Sequence, residues 1–297
     1  MKGIQLKMGI MTRDQDGWCS TQLRKAMKKQ NITPICFDCR LITGRINYTP
    51  EASVNKINIL QELDALITRP IGRGSVEELL FRMDFLHKLE RLGLLIINPP
   101  LAIERAVNKY CSLNLFQENG LPVPRTAVTE NPDEALKCFR ELGGDIVVKP
   151  LFGSRGVGST RVTDPDIATR VFLTISFYHG VLYLQEFIPH GGSDIRAFVI
   201  GDRVVAAMRR TSANWKTNVS MGAKPVSLNL SEELESLAVK AAKVVGCKVT
   251  GVDIIEGPEG PVVIELNSQP GWKGLQSVTK TNIADEIISY VLSELKS

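Results

Sequence analysis

The residues best suited to chemistry lie in two stretches. The first runs Val148-Lys149-Pro150-Leu151-Phe152-Gly153-Ser154-Arg155-Gly156-Val157-Gly158-Ser159, glycines and serines behind a strand that ends in a lysine. Glycines let backbone N–H groups close on a phosphate with no Cβ in the way, and a lysine neutralises phosphate as a point charge. No Gly-Lys-Ser/Thr closes the run and no helical pattern follows, so it is not a Walker A loop; a plain hairpin turn is the alternative. The second runs Gly251-Val252-Asp253-Ile254-Ile255-Glu256, a Gly-Pro-Glu-Gly turn, then Pro261-Val262-Val263-Ile264-Glu265-Leu266-Asn267. Strands joined by a short glycine turn pair antiparallel. Glu265 and Asn267 then share one face, and Asp253 can meet them from the neighbouring strand. Oxygen donors among apolar neighbours are costly to bury unless a cation gathers them, and such a set suits Mg²⁺ bridging to nucleotide phosphates. The alternative is a solvent-facing edge.

Between these stretches, Gln185-Glu186-Phe187-Ile188 closes an apolar strand with one acid, and Ser193-Asp194-Ile195-Arg196 opens another. Arg209-Arg210 is either a solvated strand end or a counter-charge for phosphate or carboxylate.

The elements that must position these residues follow from periodicity. In the first hundred residues, strands at 8–11, 34–37, 65–67 and 94–97 alternate with helical stretches at 21–30 and after Ser75, an N-cap ahead of Val76, Leu79, Leu80, Met83 and Leu86. That alternation predicts a small parallel α/β sheet. Helices are expected at 101–119, 133–142, 231–245 and 282–296, and strands at 146–149, 181–188, 195–200, 204–209, 250–256 and 261–267. The fold class is therefore α/β and α+β.

Composition narrows the function. Of 297 residues 43% are hydrophobic and 23% charged, an ordinary globular balance. A net charge of +4 is too weak and too evenly spread for a nucleic-acid binder. No apolar run approaches the ~20 residues of a membrane span, and the N-terminus lacks the pattern of a secretory signal. Six scattered cysteines suit a reducing cytoplasm rather than a disulfide scaffold. Cys36-x-x-Cys39 is a lone pair with no second C-x-x-C, so a buried strand-end turn is preferred to a zinc or redox site.

Taken in order, Lys109, the KP-x-x-G-S-x-G-x-G stretch, QEFI, G-x-D-I-R, the arginine pair, W-K-T-N, GVDI and E-x-N resemble the ATP-grasp ligases, in the branch of RimK-like α-L-glutamate ligases, over about residues 100–297. The resemblance implies an ATP-grasp fold: an N-terminal parallel α/β (pre-ATP-grasp) lobe at 1–100, a lid at 101–185, and a C-terminal grasp lobe with the metal site at 186–297. It implies that Lys109, Lys149 and the loop of Gly153, Ser154, Gly156 and Gly158 hold the ATP phosphates. Gln185, Glu186, Phe187 and Ile188 would meet the adenine, with Glu186 and the Phe187 backbone at its edge, and Asp194 the ribose. Lys216, Thr217 and Asn218 would lie near the phosphates, and Asp253, Glu265 and Asn267 would carry two Mg²⁺ (or Mn²⁺) ions.

The chemistry implied is ADP-forming amide synthesis through an acyl phosphate, with Arg196 and Arg210 as candidates to grip the acyl phosphate and the tetrahedral oxyanion. Arg69-Pro70-Ile71-Gly72-Arg73-Gly74-Ser75 places two arginines before a helix N-terminus, a ready anion site. With the Pro270-Gly271-Trp272-Lys273-Gly274 run it resembles the archaeal-type coenzyme glutamate ligases. That implies L-glutamate added to the carboxyl tail of tetrahydromethanopterin, with Arg69, Arg73 and Trp272 at the substrate. A coenzyme F420 tail or a protein C-terminus is an alternative acceptor, and a non-catalytic nucleotide-binding module an alternative class. The resemblance also implies a dimer or tetramer.

Overall fold

Four short apolar strands, Lys7–Met11, Thr33–Phe37, Ala65–Thr68 and Leu95–Ile97, pair in parallel with Lys7–Met11 and Ala65–Thr68 in the centre. The computed structural model describes residues 5–72, 74–153 and 156–296; Arg73 and Ser154 lie outside the described residues. The side-chain period of two sends Met8, Ile10, Ile67 and Ile97 to one face and Met11, Leu66 and Ile96 to the other. Helix Trp18–Lys29 covers the first face with Leu23, Ala26 and Met27, and helix Val76–Arg91 covers the second with Phe85, Leu86 and Leu89. Ser75 starts the latter helix as expected: its hydroxyl accepts from the Glu78 N–H while the Glu78 carboxylate accepts from the Ser75 N–H.

The C-terminal sheet is antiparallel, in the order Lys224–Ser227, Arg203–Thr211, Ser193–Ile200, Val249–Gly257, Gly260–Asn267. One face, with Ile195, Ala197, Val199, Val252, Ile254 and Val263, packs on helices Pro100–Val107, Lys109–Glu118 and Glu232–Val245. The other carries Asp194, Arg196 and Phe198. Phe198 joins Met8, Leu23, Ile97, Trp272 and Ile283 in a core common to the first and last parts of the chain. Asn98 clasps the two parts. Its Nδ2 donates to the Val249 carbonyl at 2.7 Å and to the Ser268 carbonyl, and its Oδ1 accepts from the N–H groups of Lys248 and Val249 at 2.7 and 2.8 Å. Asn98→Leu would strand these buried groups. It is expected to cost about 3 kcal/mol, seen as a lower urea midpoint at unchanged slope.

A third, smaller sheet pairs Thr160–Val162, Ile146–Lys149, Leu182–Glu186 and Thr126–Thr129 antiparallel, in that order. Helices Pro132–Glu141 and Pro165–Phe177 cover one face through Ala135, Phe139, Ala168 and Phe172. The expected lid boundary at 101 does not fall between packing units, because Ala102, Ala106, Leu113 and Phe116 are buried in the C-terminal core. The helical stretch expected at 101–119 is two helices, parted at Asn108, whose side chain caps the second. The glycine run is the loop of a hairpin, since Thr160–Val162 returns antiparallel along Ile146–Lys149.

Candidate active site

The small sheet and the C-terminal sheet face each other across an open cleft whose enclosed volume is about 110 Å³. Its two ends differ in chemistry. Val147, Ile188, Ile255, Ile264, Phe187, His190 and Trp215 make one end apolar and aromatic. Phe187 is braced for this. Its ring meets Trp215 edge-on at 6.3 Å between centroids, and the Arg161 guanidinium lies 3.5 Å from its centroid while paired with Asp145. A flat base fits such a slot.

The other end gathers Lys109, Lys149, Gly153, Gly156, Lys216, Thr217, Asn218, Asp194, Arg210, Asp253 and Glu265. Lys109, in the first turn of its helix, reaches across and donates from Nζ to the Gly153 carbonyl at 2.6 Å, pinning the loop. Lys149 donates from Nζ to Gln185 Oε1, and the Gln185 amide is anchored in turn to Thr126 Oγ1 at 3.1 Å. Burial is the main cause that lowers the Lys149 ammonium to about 8, with Lys109 adding to it and Glu265 and Asp253 opposing it. Gly156 has φ +70, and a Cβ there would strike Asn218 Oδ1, so only glycine lets the loop approach the Lys216-Thr217-Asn218 segment.

Across the C-terminal sheet runs a buried ionic row. Strand register sets Asp194 beside Arg210, Arg196 beside Asp253, and Asp253 beside Glu265. Asp194 takes both forks of Arg210. Asp253 takes both forks of Arg196 and a further contact from Arg210 at 3.1 Å. Against the burial that would raise it, these two arginines hold the Asp253 carboxyl below its ordinary value. Glu265 makes no hydrogen bond or ion pair among the described residues.

That arrangement fits a magnesium-type ion in its donor chemistry. Oxygens come from Glu265, from Asn267 on the same strand face, and from Asp253 Oδ2, which accepts only one hydrogen bond. Among the described residues no cluster of three His, Cys, Asp or Glu side chains forms a cage, so phosphate oxygens and water must complete the shell. Asn267 pairs with Gly251 just beyond the cleft wall.

Several expected roles change. Glu186 does not offer its carboxylate to adenine, because it accepts from the Arg125 backbone N–H at 2.7 Å and from Arg125 Nε at 2.6 Å. The Phe187 N–H donates to the Asp145 carbonyl and is not free for a ligand, while the residue itself lines the slot. Gln185 is buried beneath Lys149 and holds it. Arg196 is behind Asp253 rather than on the cleft wall, whereas Arg210 lines the cleft at 4% exposure. Gly158 shapes the loop at φ +81 without lining the cleft. Trp272 is 1% exposed, packs between Trp18, Phe198 and Arg69, and does not line the cleft. Arg69 is 8% exposed, in a separate small cavity. Arg73 and Ser154, expected at substrate and phosphate, lie outside the described residues. Cys36 and Cys39 are free thiols whose pKa burial raises, as the buried-turn reading expects.

Trp215, Ile255, Ile264, Arg125 and Arg161 were not expected at the site. The signal for the isoleucines was available, since they alternate with Asp253 and Glu265 across the bulge in register between these strands.

Residues 106–291 match the model of the RimK-like ATP-grasp domain. The chain belongs to this family. The tetrahydromethanopterin:alpha-L-glutamate ligase of Methanococcus maripaludis is 36% identical over 296 residues, covering 98% of this chain and 99% of that one. A probable alpha-L-glutamate ligase of Legionella pneumophila is 36% identical over 215 residues, 71% of each chain. Among solved structures, the ATP-grasp ligase PsnB with its minimal precursor has a TM-score of 0.77 at 20% identity, covering 98% of this chain and 100% of that one. The RimK domain protein from Sphaerobacter thermophilus has a TM-score of 0.76 at 18% identity, covering 96% and 98%. These two share the fold of the present chain. No helix among its described residues is long and apolar enough to cross a membrane.

Proposed function

We propose that this chain is an ATP-dependent, ADP-forming carboxylate–amine ligase that adds L-glutamate to the carboxyl tail of tetrahydromethanopterin. The observation that carries the reading is the polarity of the cleft. An aromatic slot for a base opens at one end onto Lys109, Lys149, a glycine loop and the unpaired Glu265 at the other. The acceptor is supported by the M. maripaludis relative, whose likeness runs through the N-terminal lobe as well as the grasp lobes.

The acceptor carboxylate attacks the γ-phosphorus of ATP, giving an acyl phosphate and ADP; the glutamate amine then displaces phosphate and forms the amide. Lys149 and Lys109 counter the phosphate charge from opposite sides of the loop, and Lys216, Thr217 and Asn218 face it from the C-terminal lobe. Arg210 is the cleft-lining cation for the acyl phosphate and the tetrahedral oxyanion, and Arg196 fixes Asp253 so that its free lone pair stays aimed. No protein nucleophile is needed. Glu265, Asn267 and Asp253 would hold Mg²⁺ (or Mn²⁺), two ions per nucleotide, which neutralises the phosphate oxygens during transfer. A cytoplasmic location is supported by the free cysteines, and a homodimer or homotetramer by family resemblance alone.

The test is incubation with Mg·ATP, L-glutamate and, separately, tetrahydromethanopterin, a coenzyme F420 tail and a protein C-terminal peptide, followed by mass spectrometry. A glutamyl increment on the pterin, with ADP released only when both carboxylate and glutamate are present, is the expected result. An increment on another acceptor alone would overturn the acceptor, and no ADP with any of them would overturn the ligase reading.

A further inference from the structure

We propose that the small cavity between the N-terminal sheet and the strand carrying Glu265 is a carboxylate pocket anchored by Arg69. It would receive a carboxylate of one of the two molecules being joined, and so rests on the ligase reading above. Arg69 immediately follows Ala65–Thr68, at the carboxyl end of a strand in the parallel sheet, where open α/β sheets bind ligands. Arg69 is buried, at 8% exposure, yet its guanidinium makes no hydrogen bond and no ion pair among the described residues. Its one side-chain partner is the face of Trp272, with 4.9 Å between guanidinium and ring centroid. Burial lowers its pKa, and the group that opposes this is the Cys19 thiol, with no carboxylate among the described residues doing so.

A buried arginine without an anion is rare, and costs several kcal/mol unless a partner arrives. The neighbouring loop repeats the imbalance. Trp272 Nε1 and Gln269 Nε2 are buried donors with no acceptor. The unsatisfied groups are all donors, so what is missing is an acceptor, and a carboxylate supplies several lone pairs at once.

Thr68, Arg69, Asn98, Ser268, Pro270 and Trp272 line the cavity, whose volume is about 10 Å³. That is room for one water-sized group, such as one oxygen of a carboxylate, and not for a ring system. The pocket adjoins the reaction centre. A Cβ placed on Gly251 would lie 2.8 Å from Arg196 Nη1 and 3.3 Å from Pro270 Cβ, so the cavity wall abuts the guanidinium that holds Asp253. Ser268, on the wall, directly follows Asn267.

The experiment compares wild type with Arg69→Met and Arg69→Lys by initial rates and thermal unfolding, varying ATP, L-glutamate and tetrahydromethanopterin in turn. Arg69→Met is expected to raise KM for one of the two carboxylate substrates about 30-fold, as for loss of a charged hydrogen-bonded anchor. KM for ATP should not move, and Arg69→Lys should restore part of the loss. The ligand-free Tm should stay or rise, because an unpaired buried charge has gone. A rise confined to L-glutamate assigns the pocket to the amino acid, and one confined to tetrahydromethanopterin assigns it to the acceptor. Unchanged KM for both, or a fall in Tm with all three KM values raised alike, would overturn the pocket and leave Arg69 as a packing residue. Should wild type show no turnover, the ligase reading falls separately. The pocket is then decided by the Tm rise that L-glutamate or glutarate gives wild type: its loss in Arg69→Met supports the pocket, and no rise in wild type overturns it.

Discussion

Glu265→Gln is expected to lower ADP release by about a thousandfold, the order seen when a preorganised charge at a phosphoryl site is removed, while leaving the urea midpoint unchanged. The asymmetry follows from its surroundings. Glu265 stands at the cleft with no hydrogen bond or ion pair among the described residues, so neutralising it strands nothing in the fold. Asp253→Asn should give the same loss of turnover and also destabilise the protein by about 3 kcal/mol, because removing one partner of a buried ion pair leaves the rest uncompensated. Asn keeps one acceptor oxygen and turns the other into a donor, so Arg196 would lose its two-pronged grip and both arginines their shared counter-charge, leaving Arg210 with Asp194 as its one carboxylate among the described residues. From sequence alone the two substitutions look equivalent, each a conservative change on neighbouring strands. Rates and denaturant curves on both variants separate them. Near-normal ADP release in Glu265→Gln would remove it from the metal site, and equal stability of the two would mean that the arginine row carries no structural load.

Nucleotide affinity is expected to fall as pH rises above about 8, in proportion to the loss of charge on Lys149. Its ammonium is lowered to about 8 chiefly by burial and then by Lys109. Bound triphosphate favours the charged form, so the value rises on binding and the complex takes up a proton. Below pH 8 Lys149 is charged in both states and affinity is flat. Above it, each pH unit weakens binding by about tenfold until the value in the complex is reached. Calorimetry near pH 8.5 in two buffers of different ionisation enthalpy reads the uptake directly. Lys149→Met should weaken Mg·ATP by about a hundredfold at pH 7, the order of a lost charge-assisted contact to phosphate, and abolish the slope. A slope that persists in Lys149→Met would place the titration on another group.

The strands and most helices were legible because their signals are local: the period of two in Met8 to Met11, the cap at Ser75, the glycine turn before Pro261. Helix Pro165–Phe177 was not, since Val171, Phe172, Leu173, Thr174 and Ile175 form a β-branched and apolar run in which no polar face stands out. At the site, Lys149, Asp253 and Glu265 could be picked out because charge amid apolar neighbours is anomalous within a few residues. Glu186 carries the same anomaly, but the partner of its carboxylate, Arg125, is 61 positions away and not visible locally. Trp272 shows the same limit: Trp18 and Phe198, brought in from two other elements, bury it. What sequence lacks at these positions is the identity of the distant partner.

The shared core bears on how such enzymes can be rebuilt. Met8, Leu23 and Ile97 from the N-terminal lobe interdigitate with Phe198, Trp272 and Ile283, and Asn98 is threaded into the turn at Val249. A chimera that grafts only the first hundred residues of one family member onto another would therefore mismatch half of a single hydrophobic interior. A workable exchange carries the segment from Ser268 through helix Ile283–Glu294 along with the N-terminal lobe. Two stretches at opposite ends of the chain form one heritable unit, and the small sheet with its glycine hairpin, which has a core of its own, is the part that can be traded alone.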